Sequence, residues 1–219
     1  MAEEKLAPLK KELIQYGNLA EAMLEKSIRG LTQKQEELLE EVMNEDENQA
    51  NELEIKLDEL CASHIAQFEP RAVELRTTLM ILKMNNDLER IADHAVNIAE
   101  SALFLIKRPP VKPLVDLPNM AETVINMLKD SIGAFIEERP QLAREVCQRD
   151  SKVNNLRDQI LRELITFMSS DPTTIERSMH LLRVSSNLER VGDLCTNFCE
   201  DVIYAVEGTV IKHHFDQRK

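Results

Sequence analysis

The sequence predicts an all-α protein arranged as a tandem repeat of two three-helix bundles, with six long helices in total. Composition is the first reason: only 5 Gly, no Trp and 4% aromatic residues accompany abundant Leu, Glu, Ala and Lys. Strands draw on β-branched and aromatic side chains, whereas this mixture suits long helices. The second reason is punctuation, because prolines fall at a few breaks and leave long uninterrupted segments between them. The third is internal similarity between the two halves of the chain. With 43% apolar residues, 219 residues can bury a substantial core and do not read as a disordered chain.

The elements follow in order from these breaks. A first helix is expected over residues 6–30, closing near Gly30, and a second over 33–68, closing at Glu69-Pro70. The third is expected over 70–107, with Pro70 at its start. The run RPPVKPLVDLP, residues 108–118, holds four of the eight prolines and cannot continue a helix, because each proline lacks an amide donor. Beyond it, helices are expected over 119–138, 140–169 and 172–207, with Pro140 at a helix start, Asp171 as an N-cap and Gly208 as a stop. The organisation is thus a first repeat (1–107), a Pro-rich linker (108–118), a second repeat (119–208) and a loosely held tail (209–219) ending HHFDQRK.

The repeat is legible residue by residue. NDLERIADHAVNIAE (86–100) aligns without a gap on SNLERVGDLCTNFCE (186–200), MLEKSI (23–28) on MLKDSI (127–132), and ENQANELE (47–54) on DSKVNNLR (150–157). The offset drifts from 104 through 103 to 100, which predicts small insertions in the interhelical turns of the first half.

Charge narrows the function. With 27 Lys+Arg against 39 Asp+Glu the net charge is −12, and no basic patch is visible, so a nucleic-acid partner is not expected. The longest apolar stretch, Ala102 to Ile106, is far too short to span a bilayer, and the N-terminus has no signal-peptide core. A cytoplasmic protein without membrane insertion is the expectation. The cysteines at 61, 147, 195 and 199 form no CxxC pair and fit reduced thiols.

The third helix of each half carries the candidate chemistry. At about 100° per residue, Met84, Leu88, Ile91, Ala92, Ala95, Ile98, Ala99 and Ala102 share one face, while Asn86, Glu89, Asp93, Asn97 and Glu100 gather opposite. The second half matches, with Leu188, Val191, Gly192, Cys195, Phe198, Cys199 and Val202 apolar and Ser186, Glu189, Asp193, Asn197 and Glu200 polar. The small residues Ala92, Ala95, Ala99 and Gly192 permit close helix approach. Glu89 with Asp93, and Glu189 with Asp193, are like charges at i, i+4, a spacing that destabilises a helix by roughly 0.2 to 0.5 kcal/mol. Arg90 and Arg190 can reach the Asp three residues on, yet Glu100 and Glu200 have no basic residue at three or four positions either way. Hard cations are held by such carboxylate and amide oxygens. On the neighbouring helix, Glu47 with Asn51 and Asp150 with Asn154 repeat the i, i+4 spacing and could complete each site. The competing reading is a solvated acidic face, the ordinary role of helical charge runs; its appearance at the same place in both halves weighs against that.

Other chemistries lack their residues. No His has Glu three positions before it, as a ferritin-like di-iron bundle needs, and no HExxH or Walker A motif is present. Cys195 and Cys199 fall on the packing face, His94 points about 140° from Glu89 toward a neighbour or solvent, and His213 and His214 belong to the tail. No catalytic residue is nominated, and an enzyme is not expected.

The two copies of the ExxxD motif, LERIAD and LERVGD, and the ending NFCEDVIYAVEGT resemble the PhoU family of bacterial phosphate-uptake regulators, over essentially the whole chain. The family carries ExxxD on the third helix of each repeat and D-x-x-V-[ND] on the second. That resemblance implies metal ligands at Glu89, Asp93, Glu189, Asp193, Asp150 and Asn154, with Glu47 and Asn51 as the first-repeat counterparts and Asn97, Glu100, Asn197 and Glu200 as possible additions. Glu47 and Ala50 replace the usual Asp and Val, and Ala92 replaces the usual Gly, so the first half departs further from the pattern. The resemblance also implies a multinuclear or divalent metal (iron, zinc, manganese or magnesium), a homodimer, and a negative regulator of the phosphate regulon. In that role it acts between the ATPase PstB of the phosphate ABC transporter and the sensor kinase PhoR. The alternatives are a metal-free helical scaffold or an accessory protein of another transporter such as a sodium–phosphate carrier.

Overall fold

The computed structural model describes residues 2–208, and no strand occurs among them. Six long helices follow the chain: α1 (Ala2–Gln33), α2 (residues 36–68), α3 (Val73–Ile106), α4 (Asp116–Ile136), α5 (Pro140–Ser170) and α6 (Ile175–Glu207). The predicted class, all-α with two successive three-helix units, is the observed one. The tail residues, including His213 and His214, lie outside the described residues.

Helix ends depart from the predicted ones for identifiable reasons. Gly30 does not stop α1, which runs on to Gln33 before Lys34 adopts φ 55. Its role is close approach: a Cβ there would lie 2.4 Å from Leu39 Cδ2 and 3.1 Å from the Gln35 carbonyl. Pro70 does not open α3. Glu69 closes α2 at φ 43, away from the right-handed helical region that a following proline disfavours, and α3 begins at Val73. At α4 the helix starts earlier than 119, at Asp116, because Pro118 falls in the first turn, where amides have no intrahelical acceptor to lose. Asp171 does cap, accepting from the Thr173 amide at 3.0 Å, but a 3-10 turn at Pro172–Thr174 precedes α6. Pro140 opens α5 as predicted.

α2 contains a feature the sequence reading did not anticipate. Its α-helical segments Glu36–Glu41 and Glu47–Phe68 are joined by a π-helical turn at Val42–Asp46. The first half has one residue more than the second between the matched segments ending at Ile28 and beginning at Glu47. A π turn absorbs such a residue without breaking the helix, so this insertion can sit inside α2, whereas the sequence reading put it in a turn.

α3 and α6 form the centre and run antiparallel, as three cross-contacts establish. Lys83 pairs with Asp201, His94 Nδ1 lies 2.8 Å from Asn187 Oδ1, and Phe104 stacks on His180 at 3.8 Å between ring centroids. The predicted apolar faces of both helices are buried, and the core runs continuously through both halves. At about 0.8 kcal/mol per buried CH₂, this burial is what holds the six helices together. α1 lies along α3, and α5 along α6, with α4 touching α1, α5 and α6. One of the ion pairs between the first and second helices recurs at matching positions in the two halves with the signs exchanged: Lys26 with buried Asp46 at 2.8 Å, and Asp130 with Arg149. All four cysteines are free, and among the described residues no helix is long and apolar enough to cross a membrane.

Candidate metal site

In the second half, α5 and α6 bring the predicted ligands together. Asn154 Nδ2 donates to Asp150 Oδ2 at 2.8 Å, which leaves Asp150 Oδ1 and Asn154 Oδ1 buried with no hydrogen-bond partner. The helices approach closely at Gly192, where an added Cβ would lie 3.4 Å from Val153 Cγ1 and 3.8 Å from Asp150 Oδ1. Burial, and then the Glu189 charge, raise the Asp150 carboxyl above its ordinary value. Asp193 is raised by burial, then by Asp150 and Glu189, with Arg157 opposing. Arg157 Nη2 donates to Glu189 Oε1 at 3.3 Å, so this half carries a cation of its own. Neither Arg157 nor the resulting partial neutralisation was picked out from the sequence.

The first half is built on the same plan with different charge. Glu89 is half-buried, and its carboxyl is raised by burial, then by Asp93 and Glu54, with Arg90 opposing. Glu54 takes the place that Arg157 occupies in the aligned repeat. Tyr16 of α1, fully buried with a hydroxyl lacking any partner, completes the group: burial raises it first, then Glu54, Glu89 and Asp93. Glu47 is half-buried and Asn51 exposed on the same helix, and it is Glu54, two turns beyond Glu47, whose charge reaches Glu89. The signal for Glu54 was present in the alignment of ENQANELE on DSKVNNLR, whose last column sets Glu against Arg. Packing is exchanged in the same way. Buried Ala50 and Ala92 stand where Val153 and Gly192 stand in the second half, so bulk moves from one helix to the other.

Farther along the stripe, half-buried Asn97 donates to the Asp93 carbonyl at 2.8 Å, Glu100 and Asn197 are exposed, and Glu200 is half-buried. Arg90 and Arg190 do not make the expected ion pairs with Asp93 and Asp193; neither guanidinium has an ion pair or hydrogen bond among the described residues. Both instead line a cleft of about 540 Å³ between α3 and α6, with Asp93, His94, Asn97, Asp193, Leu194 and Asn197. His94 is buried beside Asn187, and burial pushes its pKa below the ordinary value. Cys195 and Cys199 are buried in the packing face, and burial raises the Cys195 thiol.

The donor set fits a hard cation. Unpartnered buried oxygens on Asp150 and Asn154, and carboxyl groups crowded enough to be raised in both halves, are what a positive ion relieves. No three His, Cys, Asp or Glu side chains among the described residues already converge on one point. The ligands are laid out along helix faces, not folded into a closed cage.

Comparison with known proteins agrees with this architecture. A family model described as the PhoU domain matches residues 13–102 and 117–202. A phosphate-specific transport system accessory protein PhoU homolog of Aquifex aeolicus is 37% identical over 216 residues, covering 99% of this chain and 97% of that protein. The Escherichia coli phosphate-specific transport system accessory protein PhoU is 31% identical, covering 95% and 86%. The crystal structure of PhoU from Pseudomonas aeruginosa superposes with TM-score 0.91 at 31% identity, covering 95% of this chain and all of that one.

Proposed function

The chain belongs to the PhoU family, and on that premise we propose that it is an accessory regulator of phosphate transport whose two acidic stripes hold divalent or multinuclear metal. The observation that carries the metal reading is the crowding of Glu54, Glu89 and Asp93 in one half and of Asp150, Glu189 and Asp193 in the other, which Arg90 and Arg157 offset only in part. The phosphate-transport role is supported by the names of the relatives, which are accessory proteins of phosphate-specific transport systems. In this reading Glu89, Asp93, Glu189, Asp193, Asp150 and Asn154 supply oxygen ligands, and Gly192 with Val153 sets how closely α5 presents Asp150. The cation, when bound, supplies the positive charge that lets the stripes stand together and that an acidic partner surface can share. The protein acts as a non-enzymatic adaptor between the transporter ATPase PstB and the sensor kinase PhoR, and it silences the phosphate regulon as a homodimer.

Two measurements test the proposal. Elemental analysis of protein purified without chelator should find divalent metal that Glu189→Ala with Asp193→Ala reduces, and undiminished metal in that variant defeats the ligand assignment. Deleting the gene should raise a phosphate-regulon reporter in phosphate-replete medium; an unchanged reporter defeats the regulatory role.

A further inference from the structure

We propose that the cleft between α3 and α6 binds a hydrogenphosphate-type oxyanion, held by Arg90 from one repeat and Arg190 from the other. This goes beyond the cation reading of the stripes: it rests on the guanidinium groups of Arg90 and Arg190, although Asp93 and Asp193 of the stripes line the same cleft. Because α3 and α6 are antiparallel, the same four positions of each helix line this cleft, and the lining is identical between the halves except that Leu194 stands at the position equivalent to His94. In an acidic chain whose Lys26, Arg144, Arg149 and Arg157 all have carboxylate partners, these two guanidinium groups stand without an ion pair or hydrogen bond among the described residues. A planar fork of donors is the side chain best matched to a tetrahedral oxyanion.

The acceptors in the same cleft choose among oxyanions. Asn187 Nδ2 donates to the Arg183 carbonyl at 2.8 Å, which turns its Oδ1 toward His94 and makes Nδ1–H the donor of that 2.8 Å contact. Asp93 and Asp193 line the same cleft and supply carboxylate acceptors. Sulfate has no proton to offer these groups and would leave them facing bare negative charge. Hydrogenphosphate, and a phosphate monoester in its monoanionic form, presents both acceptors for the arginines and a donor for the acceptors. Cations on the adjoining stripes would lessen the repulsion from Asp93 and Asp193, and that coupling alone rests on the metal reading above.

Equilibrium dialysis of the full chain against labelled inorganic phosphate tests this, with magnesium and after chelation, and with sulfate and adenosine monophosphate as competitors. Phosphate should bind, sulfate should compete at least about tenfold more weakly, and Arg90→Gln and Arg190→Gln should each weaken phosphate binding about tenfold or more with metal content unchanged. Competition by adenosine monophosphate would identify the site as one for phosphate esters, and its failure as one for free phosphate; either keeps the proposal. Absence of phosphate binding in both conditions overturns it, as does full binding by the Arg90→Gln/Arg190→Gln double variant, which would put the anion elsewhere. Metal content measured on the same samples separates the two readings, since a failed cation site leaves phosphate binding to chelated protein intact.

Discussion

Replacing Arg157 by Gln should tighten divalent-cation binding in the second half. Arg157 Nη2 lies 3.3 Å from Glu189 Oε1, and an ion held by that oxygen at about 2.2 Å can be no farther than about 5.5 Å from the guanidinium nitrogen. A unit charge opposing a doubly charged ion at about 5.5 Å costs about 1.5 kcal/mol even at the dielectric constant of water. The Arg157 side chain is 35% exposed, so water is the right medium, and about 1.5 kcal/mol corresponds to roughly tenfold in Kd. The converse change, Glu54→Arg, places the second half's cation beside Glu89 and should weaken the first site by at least that factor, since it alters the local charge by two units. Titration of metal-stripped full-length protein with Mn²⁺, followed calorimetrically, measures both. An unchanged or weaker second-site affinity in Arg157→Gln would show that Arg157 supports the ligands and does not compete with the ion.

Three further outcomes are expected. Glu89→Gln should raise the Tm of metal-free protein near neutral pH. The native carboxyl is raised, so the folded state holds its proton more firmly and loses stability as pH climbs from the ordinary carboxylate value of about 4.3 through the raised one. The gain should vanish in acid, and a pH-independent gain would rule out this electrostatic origin. Lys26→Met should cost about 2 kcal/mol in denaturant unfolding, less than a fully buried pair because Lys26 is 23% exposed, since Asp46 would remain buried and unpaired. Lys26→Asp with Asp46→Arg, the second half's arrangement, should recover most of it, and failure to do so would deny the equivalence of the two pairs. Gly30→Ala and Gly192→Ala should separate in thermal melts. The first drives a methyl to 2.4 Å from Leu39 Cδ2 and costs about 1 to 3 kcal/mol. The second meets nothing closer than 3.4 Å and gains up to about 1 kcal/mol of helix propensity.

What the sequence determined by itself was everything that helix pitch encodes. The burial of Met84 through Ala102, the opposite stripe of Glu89 and Asp93, their copies at Glu189 and Asp193, and the duplication that makes two such units follow from spacing along one chain segment. Helix ends were less legible, because Gly30, Pro70 and Pro118 take their roles from neighbours or from the first turn, where the usual penalties lapse. Tertiary structure alone decided which residues of one helix face which of another. It set Glu54 beside Glu89, Arg157 on Glu189, and Arg90 with Arg190 across a common cleft in place of their own aspartates. The physical reason is that the 3.6-residue period is a local property of the backbone. The axial offset and rotation of one helix against another are set by side-chain packing summed over the whole core.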